Sequence, residues 1–135
     1  MLVVLSGLPG VGKTTIAREL VQATSAVYVR IDSIEQALRN AGCRVEGEGY
    51  SVGYALAEDN LRLGRTVIAD CVNPWPLTRS EWRSVADRAG VRALDVEIVC
   101  SDAVEHRRRV ESRRADIAGH QLPTWSQVVE RDYRA

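Results

Sequence analysis

A glycine-rich stretch near the N-terminus has the residue types and spacing of a phosphate-binding P-loop. It reads G-L-P-G-V-G-K-T-T and matches the pattern G-x-x-x-x-G-K-[S/T] after a short apolar run. Glycine lets a backbone turn tightly and approach an anion, and the N–H groups of such a loop converge on that anion. A helix that begins at the lysine adds its positive dipole end. The residues predicted to bind a nucleotide are Gly7, Leu8, Pro9, Gly10, Val11, Gly12, Lys13, Thr14 and Thr15.

Two side chains of this loop have predicted chemical roles. Lys13 is expected to reach the outer phosphates of ATP, where it acts in catalysis, and the Thr14 hydroxyl is expected to hold Mg²⁺. Lys13 is also the only lysine among 18 basic residues. Because arginine does not replace the compact ammonium of lysine in this motif, its position favours a P-loop over a chance match in a glycine-rich turn.

Two aspartates follow apolar runs that are typical of buried strands. In an open parallel sheet, ligands bind beyond the carboxyl ends of the strands, so both carboxylates are expected there. Asp70 is predicted to hold a Mg²⁺-bound water and to lie near the substrate; the alternative is an Asx-turn that caps the following loop. Asp32 is predicted to accept the proton of a substrate hydroxyl that attacks the γ-phosphate; the alternative is a helix cap.

The polar residues after Asp70 are candidates for the acceptor site. Asn73 and Arg79 are predicted to contact the acceptor substrate, with an ordinary surface role as the alternative for Arg79. The two histidines, His106 and His120, have no motif around them and are predicted to be surface or structural residues.

Arginines are concentrated between residues 107 and 114. We interpret the segment of about 105–122 as a lid whose arginines spread the charge of a transferring phosphoryl group. Arg109 and Arg113 are favoured, because a continuous helix would place residues four apart on one face. An RNA-binding patch and a solvated helix face are the alternatives.

The apolar pattern predicts strands that alternate with helices, which indicates an α/β fold with a parallel sheet covered on both faces. Asp102 or Ser101, and also Thr124, are expected to cap helices. Ser33 with Gln36, and Thr78 with Glu81, have the spacing of capping boxes. The predicted strands are 2–6, 27–31, 66–70 and 92–100, within a single domain of residues 1–135.

Composition excludes some classes of function. The formal net charge is +0, which argues against a general binder of nucleic acid or membrane surfaces. The N-terminal apolar run is too short for a signal peptide, and no stretch is long enough to span a membrane. The three cysteines have no metal-ligand spacing, so we expect free thiols and a cytoplasmic protein.

These features together resemble the small P-loop kinases, a group of AAA-type small ATPases and kinases. It includes adenylylsulfate kinases, zeta-toxin-type kinases, chloramphenicol phosphotransferases and polynucleotide 5′-kinases. The resemblance implies a three-layer P-loop fold with sheet order 2-3-1-4, ATP as donor, Mg²⁺, Asp32 as general base and lid arginines over the phosphates. A fifth strand is not evident. The resemblance rests on the loop 7–15, Asp32, Asp70, Asn73, Pro74, Arg79, the arginines of 107–114 and the closing Leu122-Pro123-Thr124-Trp125.

The leading functional hypothesis is transfer of the γ-phosphate of ATP to a hydroxyl of a small molecule, such as adenylylsulfate, a nucleoside or an antibiotic. A module that binds and hydrolyses ATP without an acceptor is one alternative. A polynucleotide 5′-hydroxyl kinase is another, although the neutral charge makes a nucleic-acid partner a poor fit. A GTPase is disfavoured because its N-K-x-D motif needs a second lysine. The oligomeric state is left open.

Overall fold

The computed structural model describes residues 1–131 and residue 133, and it contains one parallel sheet. The strands are β1 (Leu2–Ser6), β2 (Val27–Arg30), β3 (Val67–Asp70) and β4 (Ala93–Glu97). Their order is β2-β3-β1-β4, and every pairing is parallel. The predicted α/β class and the order 2-3-1-4 are therefore confirmed.

Helices connect and cover the strands. Helix α1 follows the glycine-rich loop, and α5 and α6 follow β4 near the end of the chain. The helices are α1 (Lys13–Thr24), α2 (Ile31–Asn40), α3 (Glu48–Arg62), α4 (Pro76–Ala89), α5 (Ala103–Ser112) and α6 (Trp125–Glu130). None of the helices described is long and apolar enough to cross a membrane.

The core lies on both faces of the sheet, as the alternating side chains of β1 require. Leu2 and Val4 are fully buried in a cluster that also contains Leu61 of α3 and Trp82 of α4. Leu5 points to the other face, where it packs in a second cluster with residues of α1 and β3. The molecule therefore has three layers, with helices on both sides of the sheet.

Two predicted helix starts are wrong by three residues each. Helix α2 begins at Ile31, with Arg30 at the N-cap, so Ser33 is not a cap and Gln36 instead donates a hydrogen bond to Asn40 Oδ1 (2.9 Å). The helix begins early because Ile31, which is only 2% exposed, packs in the core and so fixes the first turn.

Helix α4 begins at Pro76, so Thr78 lies in its first turn. Proline at the first helical position has its φ preset and lacks the N–H that would go unpaired there, which explains the earlier start. The Thr78 hydroxyl donates to the carbonyl of Trp75 (2.9 Å).

The predicted caps of the last two helices are confirmed. The Asp102 carboxylate accepts hydrogen bonds from the backbone N–H groups of Val104 and Glu105. Thr124 and Gln127 form a reciprocal capping box at the start of α6. Both side chains satisfy N–H groups that a helix start leaves without partners.

Strand β4 is shorter and more exposed than predicted. The sequence favoured a buried strand over 92–100, but β4 ends at Glu97, Leu94 is 50% exposed and Val99 is 68% exposed. Its position explains the error: β4 pairs with β1 on one side and forms an edge of the sheet as described. An apolar run indicates a strand but does not say whether both faces are covered.

The three cysteines are free thiols, as predicted.

Candidate active site

A cleft of about 1330 Å³ opens beyond the carboxyl ends of the strands. Its walls are the P-loop, the first turns of α2, the end of α5 and the segment that leads into α6. The structure brings together in it most of the predicted site residues: Pro9, Gly10, Val11, Gly12, Lys13, Thr14, Thr15, Asp32, Asp70, Arg109 and Arg113. Gly7, Leu8, Asn73 and Arg79 do not line it.

The P-loop has the backbone conformation that its glycines make accessible. Gly10 has φ +83° and Gly12, which precedes α1, has φ +104°. A Cβ on Gly10 would lie 2.5 Å from Cγ2 of Val110 on α5. Gly10 is therefore required both for its positive φ and for the close approach of α5.

Lys13 is held at the base of the loop. Its side chain is buried, and its Nζ donates a hydrogen bond to the carbonyl of Leu8 (3.2 Å). Burial lowers the pKa of Lys13, while the charges of Asp70 and Asp32 act in the opposite direction. The ammonium is thus pointed into a polar cleft between two carboxylates, where phosphate oxygens can replace its present partner.

Asp70 is the meeting point of three elements. Its Oδ2 accepts hydrogen bonds from the hydroxyl of Thr14 on α1 (2.8 Å) and from the phenol of Tyr28 on β2 (2.6 Å). Burial, followed by the bond to Asp70, raises the pKa of Tyr28, so the phenol stays a donor. Hydroxyl and carboxylate oxygens are the donors that Mg²⁺ prefers, so Thr14 and Asp70 fit the predicted Mg²⁺ site.

Asp32 lies in the first turn of α2, with its side chain 48% exposed. The N-cap of α2 is Arg30 and Asp32 is the second residue of the helix, so the alternative interpretation as a cap does not describe it. The opposite charges that act on it come from Lys13 at the base of the P-loop and from Arg113 across the cleft. Asp32 is therefore a partly exposed carboxylate within electrostatic range of both cations.

The arginine-rich segment is divided by the end of α5. Arg107 pairs with Glu111 (2.8 Å), while Arg108 and Arg109 pair with Glu105 (2.6 and 3.0 Å). These acidic partners show that part of the segment is an ordinary solvated helix face.

The prediction that Arg109 and Arg113 share a helix face is wrong. Arg113 has an extended backbone (φ −71°, ψ 154°), because α5 ends at Ser112. Both side chains nevertheless reach the cleft. Arg109 Nη1 donates to the carbonyl of Val11 (3.4 Å), and Arg113 has a buried Nε without a hydrogen bond in the structure as described. Burial lowers the pKa of Arg113, and the charge of Asp32 opposes that effect.

Asn73 and Arg79 hold the loop between β3 and α4. Asn73 is 1% exposed, and its Nδ2 donates to the hydroxyl of Ser6 (2.8 Å). Arg79 Nε donates to the carbonyl of Asn73 (3.1 Å). The structure therefore places both residues outside the cleft, and the acceptor contacts expected of them stay predictions.

Sequence reasoning missed two histidine contacts. His106 is buried, as a structural residue would be, but its Nε2 lies 2.8 Å from the carbonyl of Pro9 in the P-loop. Its ring packs edge-on against Trp125 (5.0 Å between centroids). His120 lines the cleft, and its Nε2 lies 3.8 Å from Oδ2 of Asp32. The contacts of His106 with Pro9 and of His120 with Asp32 join residues 97 and 88 positions apart, so no local pattern could have indicated them.

A partly exposed ion pair forms part of one wall of the cleft. Arg30 at the end of β2 donates from both terminal nitrogens to the carboxylate of Asp116 (2.9 and 3.0 Å), and Arg18 of α1 binds the same carboxylate. The hydrogen bonds from Arg30 lower the pKa of Asp116 to about 2. This pair ties the segment after α5 to the sheet and was also not predicted.

Comparisons with known proteins agree with this geometry. The family model described as "AAA domain" matches residues 2–131, which is nearly the whole chain. No curated protein matches the chain in sequence. One similar solved structure is Kti12 from Chaetomium thermophilum in complex with ADP-AlF3, with 22% identity and a TM-score of 0.74 over 99% of this chain and 81% of that one.

Two further similar structures are kinases. A sugar kinase from Janibacter sp. HTCC2649 is 19% identical, with a TM-score of 0.68 over 99% of this chain and 78% of that one. A gluconokinase from Sinorhizobium meliloti 1021 is 16% identical, with a TM-score of 0.62 over 95% of this chain and 72% of that one.

A candidate kinase from Chloroflexus aurantiacus j-10-fl is 18% identical, with a TM-score of 0.72 over 83% of this chain. This chain covers 65% of the length of that protein. At these identities the likeness establishes the fold, and the family match together with that fold supports a nucleotide-dependent kinase or ATPase. The chain belongs to the AAA domain family, and its fold is that of the small P-loop kinases.

Proposed function

We propose that this protein transfers the γ-phosphate of ATP to a hydroxyl group of a small molecule. The observation that carries the proposal is the arrangement of Lys13, Arg113 and Asp32 in one cleft. A buried ammonium lies in the P-loop, a partly exposed carboxylate lies in the first turn of α2, and a half-buried guanidinium acts electrostatically on both. A phosphoryl group that passes between donor and acceptor needs positive charge along its path and a proton acceptor at its end.

The phosphate end of the cleft is built to bind the nucleotide. The backbone N–H groups of residues 7–15 would bind the phosphates, and Lys13 would neutralise the charge on the outer ones. Thr14 and Asp70 would hold Mg²⁺, which supplies positive charge to the β- and γ-phosphate oxygens when bound. Arg109, which already lies against the carbonyl of Val11, would add a further cation beside the loop.

At the acceptor end, Asp32 would take the proton of the attacking hydroxyl. A bond forms between the acceptor oxygen and the γ-phosphorus, the bond from that phosphorus to the β–γ bridging oxygen breaks, and ADP leaves. The proton moves to a carboxylate oxygen of Asp32. Arg113 would stabilise the charge on the phosphoryl oxygens during the transfer.

The test is the turnover of Asp32→Asn with an acceptor panel. ADP release is measured with Mg²⁺-ATP and adenylylsulfate, a nucleoside, a sugar acid, a neutral sugar, a chloramphenicol-type alcohol or a 5′-hydroxyl oligonucleotide. We expect stimulation by one acceptor class and a fall in kcat on the order of 10²- to 10⁴-fold in Asp32→Asn. ATP affinity, measured by calorimetry, should stay within about twofold. A variant that keeps wild-type turnover would rule out Asp32 as the base.

The second candidate is ATP hydrolysis without a small-molecule acceptor. It is favoured by the similarity in fold to Kti12, whose structure contains ADP-AlF3. The same panel distinguishes the two functions, because a hydrolase releases ADP at one rate whichever acceptor is present. Stimulation by the oligonucleotide alone, with strong salt dependence, would instead support a polynucleotide 5′-kinase.

A further inference from the structure

We propose that His120 is a positioning residue for Asp32, which holds that carboxylate and the segment 117–123 together over the acceptor end of the cleft. This inference rests on the proposed function, because it assigns Asp32 the role of base. It adds a residue that no motif of the sequence indicated. Its evidence is the contact itself, the turn that fixes the imidazole and the charges that surround it.

The contact joins two walls of the cleft. Asp32 lies on α2, His120 lies between α5 and α6, and their Oδ2 and Nε2 atoms are 3.8 Å apart. The His120 side chain is 12% exposed, while that of Asp32 is 48% exposed. At this distance the two atoms are within ion-pair range but beyond a direct hydrogen bond, so the attraction depends on a protonated imidazole.

A tight turn fixes where the imidazole lies. The backbone N–H of His120 donates to the carbonyl of Ile117 (3.1 Å), and Gly119 between them has φ +78°. A Cβ built on Gly119 would lie 3.5 Å from Nε2 of Gln36, which is one helical turn beyond Asp32 on α2. The turn therefore packs against the helix that carries Asp32.

Asp32 is the only polar partner of the imidazole within the part of the chain that the structure describes. The second ring nitrogen, Nδ1, is buried and makes no hydrogen bond there. The ring is therefore not held in place by another protein group that would compete with Asp32 for it. Loss of the imidazole should release both the carboxylate and the turn.

The contact between His120 and Asp32 lies in a strongly charged cleft. The titratable and charged residues that line the same cleft are Lys13, Arg18, Arg30, Glu35, Arg39, Asp70, Cys71, Arg108, Arg109, Arg114, Arg113, Asp116 and Arg131, with Asp32 itself.

The first experiment needs no acceptor. Hydrogen exchange of the full chain is measured at pH 6 by mass spectrometry for the wild type, His120→Gln, Asp32→Asn and the double variant. We expect faster exchange in residues 117–123 in each single variant, and no further increase in the double variant, because both remove the same contact. Gln121→Ala, which removes a neighbouring side chain that makes no hydrogen bond within residues 1–131, should leave the exchange of this segment unchanged.

The second experiment measures turnover with the stimulating acceptor between pH 6 and pH 9. His120→Gln should raise the KM for the acceptor or lower kcat by about three- to tenfold, with the KM for ATP unchanged. His120→Lys keeps a cationic side chain beside Asp32 and should retain more activity than His120→Gln at each pH.

Each outcome decides the proposal. Unchanged exchange of 117–123 in His120→Gln, or equal turnover of this variant and the wild type at every pH, would overturn it. If no acceptor stimulates the wild type, the proposed function fails, and the exchange experiment still decides whether His120 holds the segment through Asp32.

Discussion

The hydroxyl of Thr14 donates a hydrogen bond of 2.8 Å to Oδ2 of Asp70, and so joins the first turn of α1 to the end of β3. Tyr28 on β2 donates to the same oxygen at 2.6 Å. Three elements therefore converge on one buried carboxylate at the base of the cleft. The arrangement places the two residues predicted to hold Mg²⁺ in direct contact.

Thr14→Val removes the hydroxyl that we propose as a ligand of Mg²⁺ and preserves the shape of the side chain. We expect the affinity for ATP in the presence of Mg²⁺ to fall on the order of tenfold or more. The substitution removes both an oxygen that could bind the ion and the hydrogen bond to Asp70. Affinity measured with EDTA should change little. Calorimetric titration gives both values, and Thr14→Ser, which keeps the hydroxyl, is the matched control. An equal loss with and without Mg²⁺ would contradict the assignment.

Gly10→Ala should lower the free energy of unfolding by more than the strain of an alanine at positive φ would by itself. The new Cβ would lie 2.5 Å from Cγ2 of Val110, at a φ of +83°. Gly64 has nearly the same φ, +82°, with nothing within 4 Å of a Cβ, so Gly64→Ala reports the strain by itself. We expect Gly64→Ala to cost about 1 kcal/mol and Gly10→Ala clearly more, as measured by chemical denaturation.

The additional Val110→Ala substitution removes the clashing methyl groups. Because the clash in Gly10→Ala lies in the phosphate-binding loop, that variant should also bind ATP more weakly, and the double variant should recover part of the lost affinity. A double variant that binds ATP no better than Gly10→Ala would show that the contact with α5 is not the cause.

Two leucines at the end of α3 differ in burial, so the same substitution at each shows how much burial contributes to stability. The variants are Leu61→Ala and Leu63→Ala. Leu61 is 2% exposed within the main core cluster, whereas Leu63 is 76% exposed. We expect the buried substitution to lower the free energy of unfolding by about 2–5 kcal/mol and the exposed one by less than about 0.5 kcal/mol. Denaturation in urea measures both, and similar losses at the two positions would argue against this packing of α3.

Asp116→Asn should show a stability difference that depends on pH. The hydrogen bonds from Arg30 lower the pKa of Asp116 in the folded chain to about 2, from an ordinary 3.8. A carboxylate with a lowered pKa stabilises the fold above its unfolded value, and this contribution is lost as pH falls through the folded value. The wild type should thus be more stable than the variant at pH 6, and the difference should shrink between about pH 4 and pH 2. Thermal denaturation across this range is the measurement, and a constant difference would be the contrary result.

The parts of the molecule that could be predicted are those specified by adjacent residues. The P-loop is a contiguous motif whose glycines, lysine and threonine each have a local chemical reason. Asp70 was found because it ends an apolar run, and the ends of parallel strands meet at one edge. The sheet order followed from the resemblance to small P-loop kinases and is confirmed.

The parts that could not be predicted depend on packing between distant segments. Nothing near His120 in sequence indicates Asp32, 88 positions earlier, and nothing near His106 indicates Pro9. Asn73 was expected in the cleft because it follows β3, but the core turns its side chain inward to Ser6. The start of α2 likewise depends on the burial of Ile31, which a capping pattern does not contain.

The hydrogen bond between His106 and Pro9 has a mechanical consequence for the arginine-rich segment. Together with the contact of Val110 against Gly10, it attaches α5 to the P-loop as one rigid body. The end of the helix at Ser112 therefore separates two differently anchored parts of the arginine-rich segment. Arg109 is fixed through α5 to the P-loop, whereas Arg113 belongs to the stretch that Asp116 joins to β2, so the two arginines are positioned from different walls of the cleft.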